Sequence, residues 1–385
     1  MLNLIRKIIK PKYNTLNEIE INSKNILHNL DYLQSLQEQA EIFPVLKSNA
    51  YGHGLKEICQ ILNKTNTKIV AVDSFPEAQI VYKYFSGRVL ILGEMPLKAY
   101  NYCKLKRTEF IVYNQETLKY LSRYGKKVKI HLFLNSGMNR EGIDDLDLFI
   151  KENKKYIDKV EINGFCSHLA EADNSSSDFN QEQEKRFVDG LETLHRNKIY
   201  PKWIHLGNSA GVFILKNKIF NAFRPGIAFY GYNPFSESDQ NFLKANALKP
   251  ALSLYSTIIA KHRLKKGSKA SYNNSFLAEE DCSIAVIPFG YFEGLDRRFS
   301  NCIKFLFKEN KRKNEYFWVK IAGNVCMNLS CINFLNKDFN IGDKIQIISD
   351  IKDMDNSIEK LSKKINIINY ELLINLNQSI KRRII

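Results

Sequence analysis

No stretch of this 385-residue chain stays apolar for the roughly 20 residues that a membrane-spanning helix needs, so no membrane partner is expected. The start, Met1-Leu2-Asn3-Leu4-Ile5-Arg6-Lys7-Ile8-Ile9-Lys10, alternates charge with apolar residues and lacks the uninterrupted apolar core of a signal peptide, which leaves a cytoplasmic location as the expectation. Paired metal-binding cysteines are also missing. The seven cysteines, Cys59, Cys103, Cys166, Cys282, Cys302, Cys326 and Cys331, include no Cys-x-x-Cys spacing, which speaks against zinc, and their odd number speaks against a disulfide framework. They read as reduced core residues, and no metal is expected. There is no repeat at solenoid period and no low-complexity linker. The balance of 57 basic against 41 acidic side chains, formally +16, is not gathered on a recognisable nucleic-acid-binding element. Lysines are spread over segments such as Lys151 to Lys159 and Lys308 to Lys313, so they read as solvated faces whose field favours anionic small molecules, and no nucleic-acid partner is expected.

What the chain does contain is enough apolar material, 44% of residues, to bury the cores of two domains. From Asn17 onward short β-rich runs alternate with helical patterns. Eight candidate strands fall at Ile42 to Leu46, Ile69 to Val72, Val89 to Leu92, Phe110 to Val112, Val128 to Leu134, Val160 to Ser167, Trp203 to Leu206 and Asn221 to Arg224. Between the last of them, Glu182 to Lys198 places Phe187, Leu191 and Leu194 at helical spacing. Eight such units predict an α/β fold, a TIM (β/α)8 barrel over residues 17–241, with chemistry at the C-terminal ends of its strands. After Asn241 the rhythm changes to strands with few helices between them, at Leu252 to Ala260, Ser283 to Pro288, Cys302 to Phe307, Phe317 to Ile321, Cys326 to Asn333 and Lys344 to Ser349. A mainly β domain over 242–385 follows, with Lys308 to Asn314 as a polar hairpin tip. Residues 1–16 are read as a basic arm that packs on the β domain.

Lys47 is the most informative residue. It ends an apolar run and opens Lys47-Ser48-Asn49-Ala50-Tyr51-Gly52-His53-Gly54, where two glycines let the backbone turn before a helix with Leu55, Ile58, Cys59 and Leu62 at helical spacing. A lysine against an apolar wall has its charged form disfavoured and becomes nucleophilic toward an aldehyde. That is the chemistry by which pyridoxal phosphate is held.

This string closely resembles the pyridoxal-phosphate lysine motif of the alanine racemase family, and further strings from about Asn17 to Tyr370 follow in family order. The resemblance implies that Arg140, in Leu134-Asn135-Ser136-Gly137-Met138-Asn139-Arg140-Glu141-Gly142, contacts the phenolic oxygen of the cofactor and helps bind substrate. It implies an active-site role for His168, in Gly164-Phe165-Cys166-Ser167-His168-Leu169-Ala170. Asn208-Ser209-Ala210-Gly211 and Arg224-Pro225-Gly226-Ile227 are similar to the family's phosphate-binding strings, so Asn208, Ser209, Gly226 and Ile227, with Tyr51, are expected to hold the phosphate through a hydroxyl and free N–H groups. Arg224 is expected to face the pyridine nitrogen. Because guanidinium keeps its proton, the ring stays unprotonated, which favours quick return of the proton to Cα over transamination.

Racemisation takes a proton from one face of Cα and delivers it to the other, so two bases are needed. Lys47 serves one face. By resemblance, Tyr272 in Gly267-Ser268-Lys269-Ala270-Ser271-Tyr272 serves the other from a second subunit, its pKa lowered by a positive His168 backed by Arg224. Without the resemblance, Tyr272 reads as an ordinary strand tyrosine. Ile287-Pro288-Phe289-Gly290-Tyr291-Phe292-Glu293-Gly294 supplies Tyr291, expected at the substrate entrance, and Ala322-Gly323-Asn324-Val325-Cys326-Met327-Asn328 supplies Met327, whose N–H would bind the substrate carboxylate across the interface.

Three positions depart from the family pattern. Phe133 stands where many members have a lysine that becomes carbamylated and braces the arginine here numbered 140; Asn328 replaces a usual aspartate; and Gln378 occupies the place of a phosphate-binding tyrosine of some members. The resemblance implies a homodimeric alanine racemase using pyridoxal phosphate and supplying D-alanine for peptidoglycan. A racemase of the same fold acting on serine or lysine is the alternative prompted by Phe133 and Asn328, and a non-catalytic pyridoxal-phosphate-binding protein is the alternative from another class.

Overall fold

The computed structural model describes residues 14–308 and 316–385. Most of the expected basic arm, and residues 309–314 of the expected hairpin tip, lie outside the described residues. The described residues divide into two compact units, one of Ile21–Ala251 with Ile384–Ile385 and the other of Leu252–Arg383 with residues 14–20.

In the first unit all eight expected strands are present as a closed parallel barrel. Six of them, Ile69–Val72, Arg88–Ile91, Thr108–Val112, Lys129–Phe133, Glu161–Cys166 and Trp203–His205, pair in chain order. Glu41–Ile42 pairs with Ala222–Phe223, and backbone bonds close both gaps, from Leu46 N to Ala71 O at 2.7 Å and Ala71 N to Pro44 O at 2.9 Å on one side, and from Arg224 N to Gly207 O at 2.9 Å and Asn221 N to Ile204 O at 3.1 Å on the other. The strands read as near-continuous apolar runs because both faces are covered, one by the barrel interior and one by helices. The helix Ser23–Leu36 starts where Asn22 caps Asn25 N at 3.2 Å and buries Ile26, Leu30 and Leu33 on one stripe. In Asp178–Arg196 the expected apolar positions Phe187, Leu191 and Leu194 are buried, and Phe187 stacks on Phe165 with ring centroids 4.6 Å apart.

The second unit is built on a nine-stranded sheet in the order Ala260–Leu264, Cys282–Ile287, Ser330–Asn333, Tyr316–Ile321, Lys304–Lys308, Lys344–Ile348, Leu252–Thr257, Asn17–Ile21 and Lys381–Ile384. The pairings from the first of these to Leu252–Thr257 are all antiparallel. The expected single strand Leu252 to Ala260 is two strands, the second ending at Leu264 and pairing with Cys282–Ile287.

The domain limits expected at 17 and 241 shift at both ends. Asn17–Ile21 belongs to the β sheet: Ile19 and Ile21 are buried while Glu18 and Glu20 alternate with them to meet Lys344 and Arg383, which suits a sheet with one covered face. Residues 242–251 stay with the barrel. Asn29, buried on the first helix, donates to Lys249 O at 2.8 Å and accepts from Lys249 N at 2.8 Å. All seven cysteines are free thiols. Among the described residues no helix is long and apolar enough to cross a membrane, and no cluster of His, Cys, Asp and Glu has metal-binding geometry.

Candidate active site

The loops that follow the barrel strands carry Lys47, Arg140, His168, Ser209 and Arg224, so all five lie at the C-terminal pole, where barrels of this kind hold their chemistry. Half-buried Lys47 opens a turn of unusual hand. Ser48, Asn49, Ala50 and Tyr51 all have φ between 51° and 55°, a left-handed turn without a single glycine. Each such residue costs about 1–2 kcal/mol, and the turn is tied down from outside. Ser48 N donates to Glu77 Oε1 at 2.6 Å, and Asn49 Oδ1 accepts from Leu55 N at 2.9 Å, capping the helix Leu55–Leu62. Gly52 (φ 81°) and Gly54 (φ 99°) complete the expected reversal.

The turn carries the Tyr51 hydroxyl to the backbone of Gly226. A Cβ at position 226 would sit 2.2 Å from Tyr51 Oη, so only glycine permits the approach. Ser209 Oγ accepts from Gly226 N at 2.9 Å and from Ala228 N at 3.2 Å. The expected free N–H of Gly226 is therefore already engaged by Ser209, because the hydroxyl organises this loop. Asn208 Oδ1 accepts from Gly211 N at 3.0 Å and starts the short helix Gly211–Ile214, and Ile227 is buried beside it. Tyr51, Asn208, Ser209, Gly226 and Ile227 thus form one small cradle with a hydroxyl-rich wall.

Arg224 is buried and almost fully committed. Nη1 donates to His205 O at 2.8 Å and contacts His205 Nδ1, while Nη2 donates to Ser167 O at 2.6 Å and reaches Leu206 O at 3.5 Å. Nε–H takes no part in these bonds. Behind Arg224 runs a chain of polar side chains that the sequence reading missed: His205 Nε2 is 2.7 Å from His131 Nδ1, and His131 Nε2 is 2.7 Å from Glu109 Oε2. Glu109 also accepts from Asn163 Nδ2 at 2.5 Å, and Arg88 Nη1 lies 2.7 Å from its Oε1. Burial alone would raise the Glu109 pKa, but the bonds and charges of His131, Asn163 and Arg88 outweigh it and take it down to about 2. Burial, then the charge of Arg224, drives the His205 pKa well below the ordinary histidine value. The signal for this chain was present as single polar residues inside apolar strand runs, in Thr-Glu-Phe-Ile-Val and Lys-Ile-His-Leu-Phe.

His168 is surrounded by cations. Burial first, then Arg224, Arg140 and Lys47, pull its pKa down to about 3. A ring held that low is neutral at neutral pH, so the expectation of a positively charged His168 is corrected: three nearby cations and lost solvent oppose its protonation. Arg140 stands on a loop organised by Asn135, whose Oδ1 accepts from Gly137 N at 3.1 Å and Asn139 N at 3.0 Å. Its guanidinium is gripped by the neighbouring Glu141 through two bonds, one of them from Nη2 to Oε1 at 2.6 Å. Phe133, at the end of the preceding strand, is buried against Tyr113.

In the second unit Tyr272, Tyr291 and Met327 lie on three joined loops. Tyr272 sits in a turn between the strands Lys269–Ala270 and Phe276–Leu277 and is 68% exposed, with Met327 56% exposed. Asn324 Nδ2 donates to Tyr272 O at 3.1 Å and Ser271 Oγ to Asn324 O at 2.9 Å, while Tyr291 N donates to Cys326 O at 3.0 Å. The result is an open patch that also includes Phe292 and Leu329.

The family model for the alanine racemase N-terminal domain matches residues 21–234, and that for the alanine racemase C-terminal domain matches residues 251–384. The alanine racemase of Borreliella burgdorferi is 34% identical over 379 residues, covering 95% of this chain and 96% of the relative. Among solved structures, alanine racemase from Clostridium difficile 630 superposes with a TM-score of 0.86 at 25% identity, covering 97% of each chain. The alanine racemase of Bartonella henselae with covalently bound pyridoxal phosphate superposes with a TM-score of 0.81 at 22% identity, over 97% of this chain and all, 100%, of that one.

Proposed function

The chain belongs to the alanine racemase family, and from that membership we infer that it is a pyridoxal-phosphate-dependent amino-acid isomerase interconverting L-alanine and D-alanine. The observation that carries this reading is the convergence of Lys47, Arg140 and Arg224 around His168 at the barrel pole that also bears the Tyr51–Ser209–Gly226 cradle.

The residues present suit the cofactor. Tyr51, Asn208, Ser209, Gly226 and Ile227 would hold its phosphate, in a cradle that a side chain at 226 would close. Arg224, whose Nη groups are held by His205 and Ser167, would offer its Nε–H to the ring nitrogen as a hydrogen-bond donor that never gives up its proton. Arg140 would contact the phenolic oxygen and the substrate. When bound, pyridoxal phosphate makes the α-proton of an attached amino acid acidic. The Lys47 amine takes or returns that proton on one face, and the Tyr272 hydroxyl of a second copy does so on the other. With His168 neutral, Arg140, Arg224 and Lys47 supply the positive field that favours a deprotonated phenol. Met327 N–H receives the substrate carboxylate and Tyr291 lines the entrance.

A homodimer with shared sites supplies Tyr272, and the open patch of Tyr272, Tyr291, Phe292, Met327 and Leu329 is the surface the second copy covers. The enzyme works in the cytoplasm, and its D-alanine feeds peptidoglycan. Serine or lysine as substrate is favoured by one observation, Asn328 Nδ2 bound to Glu293 Oε1 at 2.8 Å, which places a neutral amide where the family has an acid.

The test is purified protein loaded with pyridoxal phosphate, its visible absorption recorded, and loss of optical rotation followed for L-alanine, L-serine and L-lysine. Fastest loss with L-alanine supports the reading. A faster rate with serine or lysine reassigns the substrate, and cofactor absorption without any racemisation leaves only a binding protein.

A further inference from the structure

We propose that Glu109 is a positioning residue that fixes the proton polarity of His131 and His205, and so presents to Arg224 a ring lone pair rather than a ring N–H. The chain of contacts admits little choice. A carboxylate only accepts hydrogen bonds, so His131 Nε2, 2.7 Å from Glu109 Oε2, carries a hydrogen. Asn163 donates to the same oxygen and Arg88 faces the other, which leaves the carboxylate no reason to hold a proton of its own. At the other end Arg224 Nη1 only donates, so the ring hydrogen of His205 lies on Nε2, which must donate to His131 Nδ1, 2.7 Å away. His205 Nδ1 is left as an acceptor, facing an Arg224 Nη1 that can only donate. Reversing any one ring puts two donors or two acceptors face to face in a place without water, since Glu109, His131 and His205 are all fully buried.

The site is built for these rings. The chain crosses the barrel from Glu109, second residue of its strand, through His131, third of its strand, to His205 at a strand end and Arg224 just past one. Gly164 lies opposite His131 in the pairing, and a Cβ there would come within 2.1 Å of His131 Nδ1. The ring fits only because that position is glycine. Its consequence for the reaction rests on the reading of Arg224 as the residue facing the cofactor ring: a lone pair behind Arg224 keeps the guanidinium aimed and charged, although its nearest polar neighbours inside the barrel are otherwise carbonyl groups.

The test is the ring-nitrogen NMR spectrum of holoenzyme labelled with ¹⁵N-histidine, assigned by His131→Gln and His205→Gln, in the wild type and in Glu109→Gln. The wild type is expected to show both rings as the Nε2–H tautomer. Glutamine has no arrangement that satisfies His131, Asn163 and Arg88 together, so in Glu109→Gln the His205 Nδ1 signal is expected to move from the lone-pair region toward the N–H region, with a change in the cofactor's visible band. A wild-type ring protonated at Nδ1, at either position, overturns the proposal even if the variant does not fold. So does a folded Glu109→Gln with unchanged tautomers. Because the readout is a tautomer, a wild type that shows the expected polarity but does not racemise alanine would count against the catalytic reading and leave this one standing.

Discussion

Arg140 and Glu141, neighbours in sequence, form a two-pronged ion pair at the barrel mouth, with Arg140 Nη2 2.6 Å from Glu141 Oε1. The strand-end position that could have offered another brace is Phe133, which has no amine to carbamylate. Glu141 therefore does the bracing. An ion pair this exposed is worth about 0.2–1 kcal/mol, so Glu141→Gln is expected to lower kcat/KM for L-alanine by up to about fivefold with an unchanged Tm, and bicarbonate-free buffer is expected to leave wild-type activity unchanged. Bicarbonate-dependent activity would show that the brace lies elsewhere.

The left-handed turn at Ser48–Tyr51 stores strain that glycine would release. Ser48 is exposed and sits at φ 55°. Relief of about 1–2 kcal/mol exceeds the extra chain entropy of about 0.5–1 kcal/mol, so Ser48→Gly is expected to raise unfolding stability by about 0.5–1 kcal/mol in urea titration. A destabilised variant would mean the Ser48 side chain contributes more than its backbone costs.

Gly226→Ala would push a methyl group onto Tyr51 Oη. The variant is expected to fold, because the contact is with the end of one side chain, yet to bind pyridoxal phosphate at least about tenfold more weakly, a cost of about 1.4 kcal/mol. Spectrophotometric titration of the cofactor-free protein reads the difference, and an unchanged Kd would remove Gly226 from the cradle.

Acid stability carries a signature of His168. Unfolded, the ring takes its proton near the ordinary 6.5; folded, only near about 3. Between those values the unfolded chain holds the extra proton, so acidification favours unfolding and stability falls as pH drops from 6.5 toward 3. Glu109 adds a second loss at lower pH, since its folded pKa of about 2 lies below its unfolded value of 4.5, and the stability it contributes is lost as pH falls through that interval. Unfolding midpoints of the cofactor-free protein measured from pH 7 to 3 should fall less steeply in His168→Asn than in the wild type. Parallel profiles would place the acid sensitivity in other groups.

The barrel was legible because its strands are short, β-branched and largely apolar on both faces, and five of the loops that follow them carry the polar residues singled out at Lys47, Arg140, His168, Ser209 and Arg224. Asn17–Ile21 was harder: its alternation of Glu18 and Glu20 with Ile19 and Ile21 marks a strand without saying which sheet takes it. The left-handed turn was not legible at all, since none of Ser48, Asn49, Ala50 and Tyr51 is glycine and the conformation is imposed by Glu77 and the Asn49 cap. Glu109, His131 and His205 were overlooked because each is one polar letter in an apolar run, and only the pairing of their strands brings them into line. The charge expected of His168 was misread, because burial and three cations contributed by other loops decide its protonation.

The two-base account stands on Lys47 of one copy and Tyr272 of another serving the same substrate carbon. Lys47→Ala and Tyr272→Phe should each be inactive alone as homodimers. Mixed and allowed to exchange subunits, they form heterodimers in which one site has lost both groups and the other has regained both, so racemisation of L-alanine should reappear. Heterodimers that form, by light scattering and mass spectrometry, and yet stay inactive would contradict the shared site.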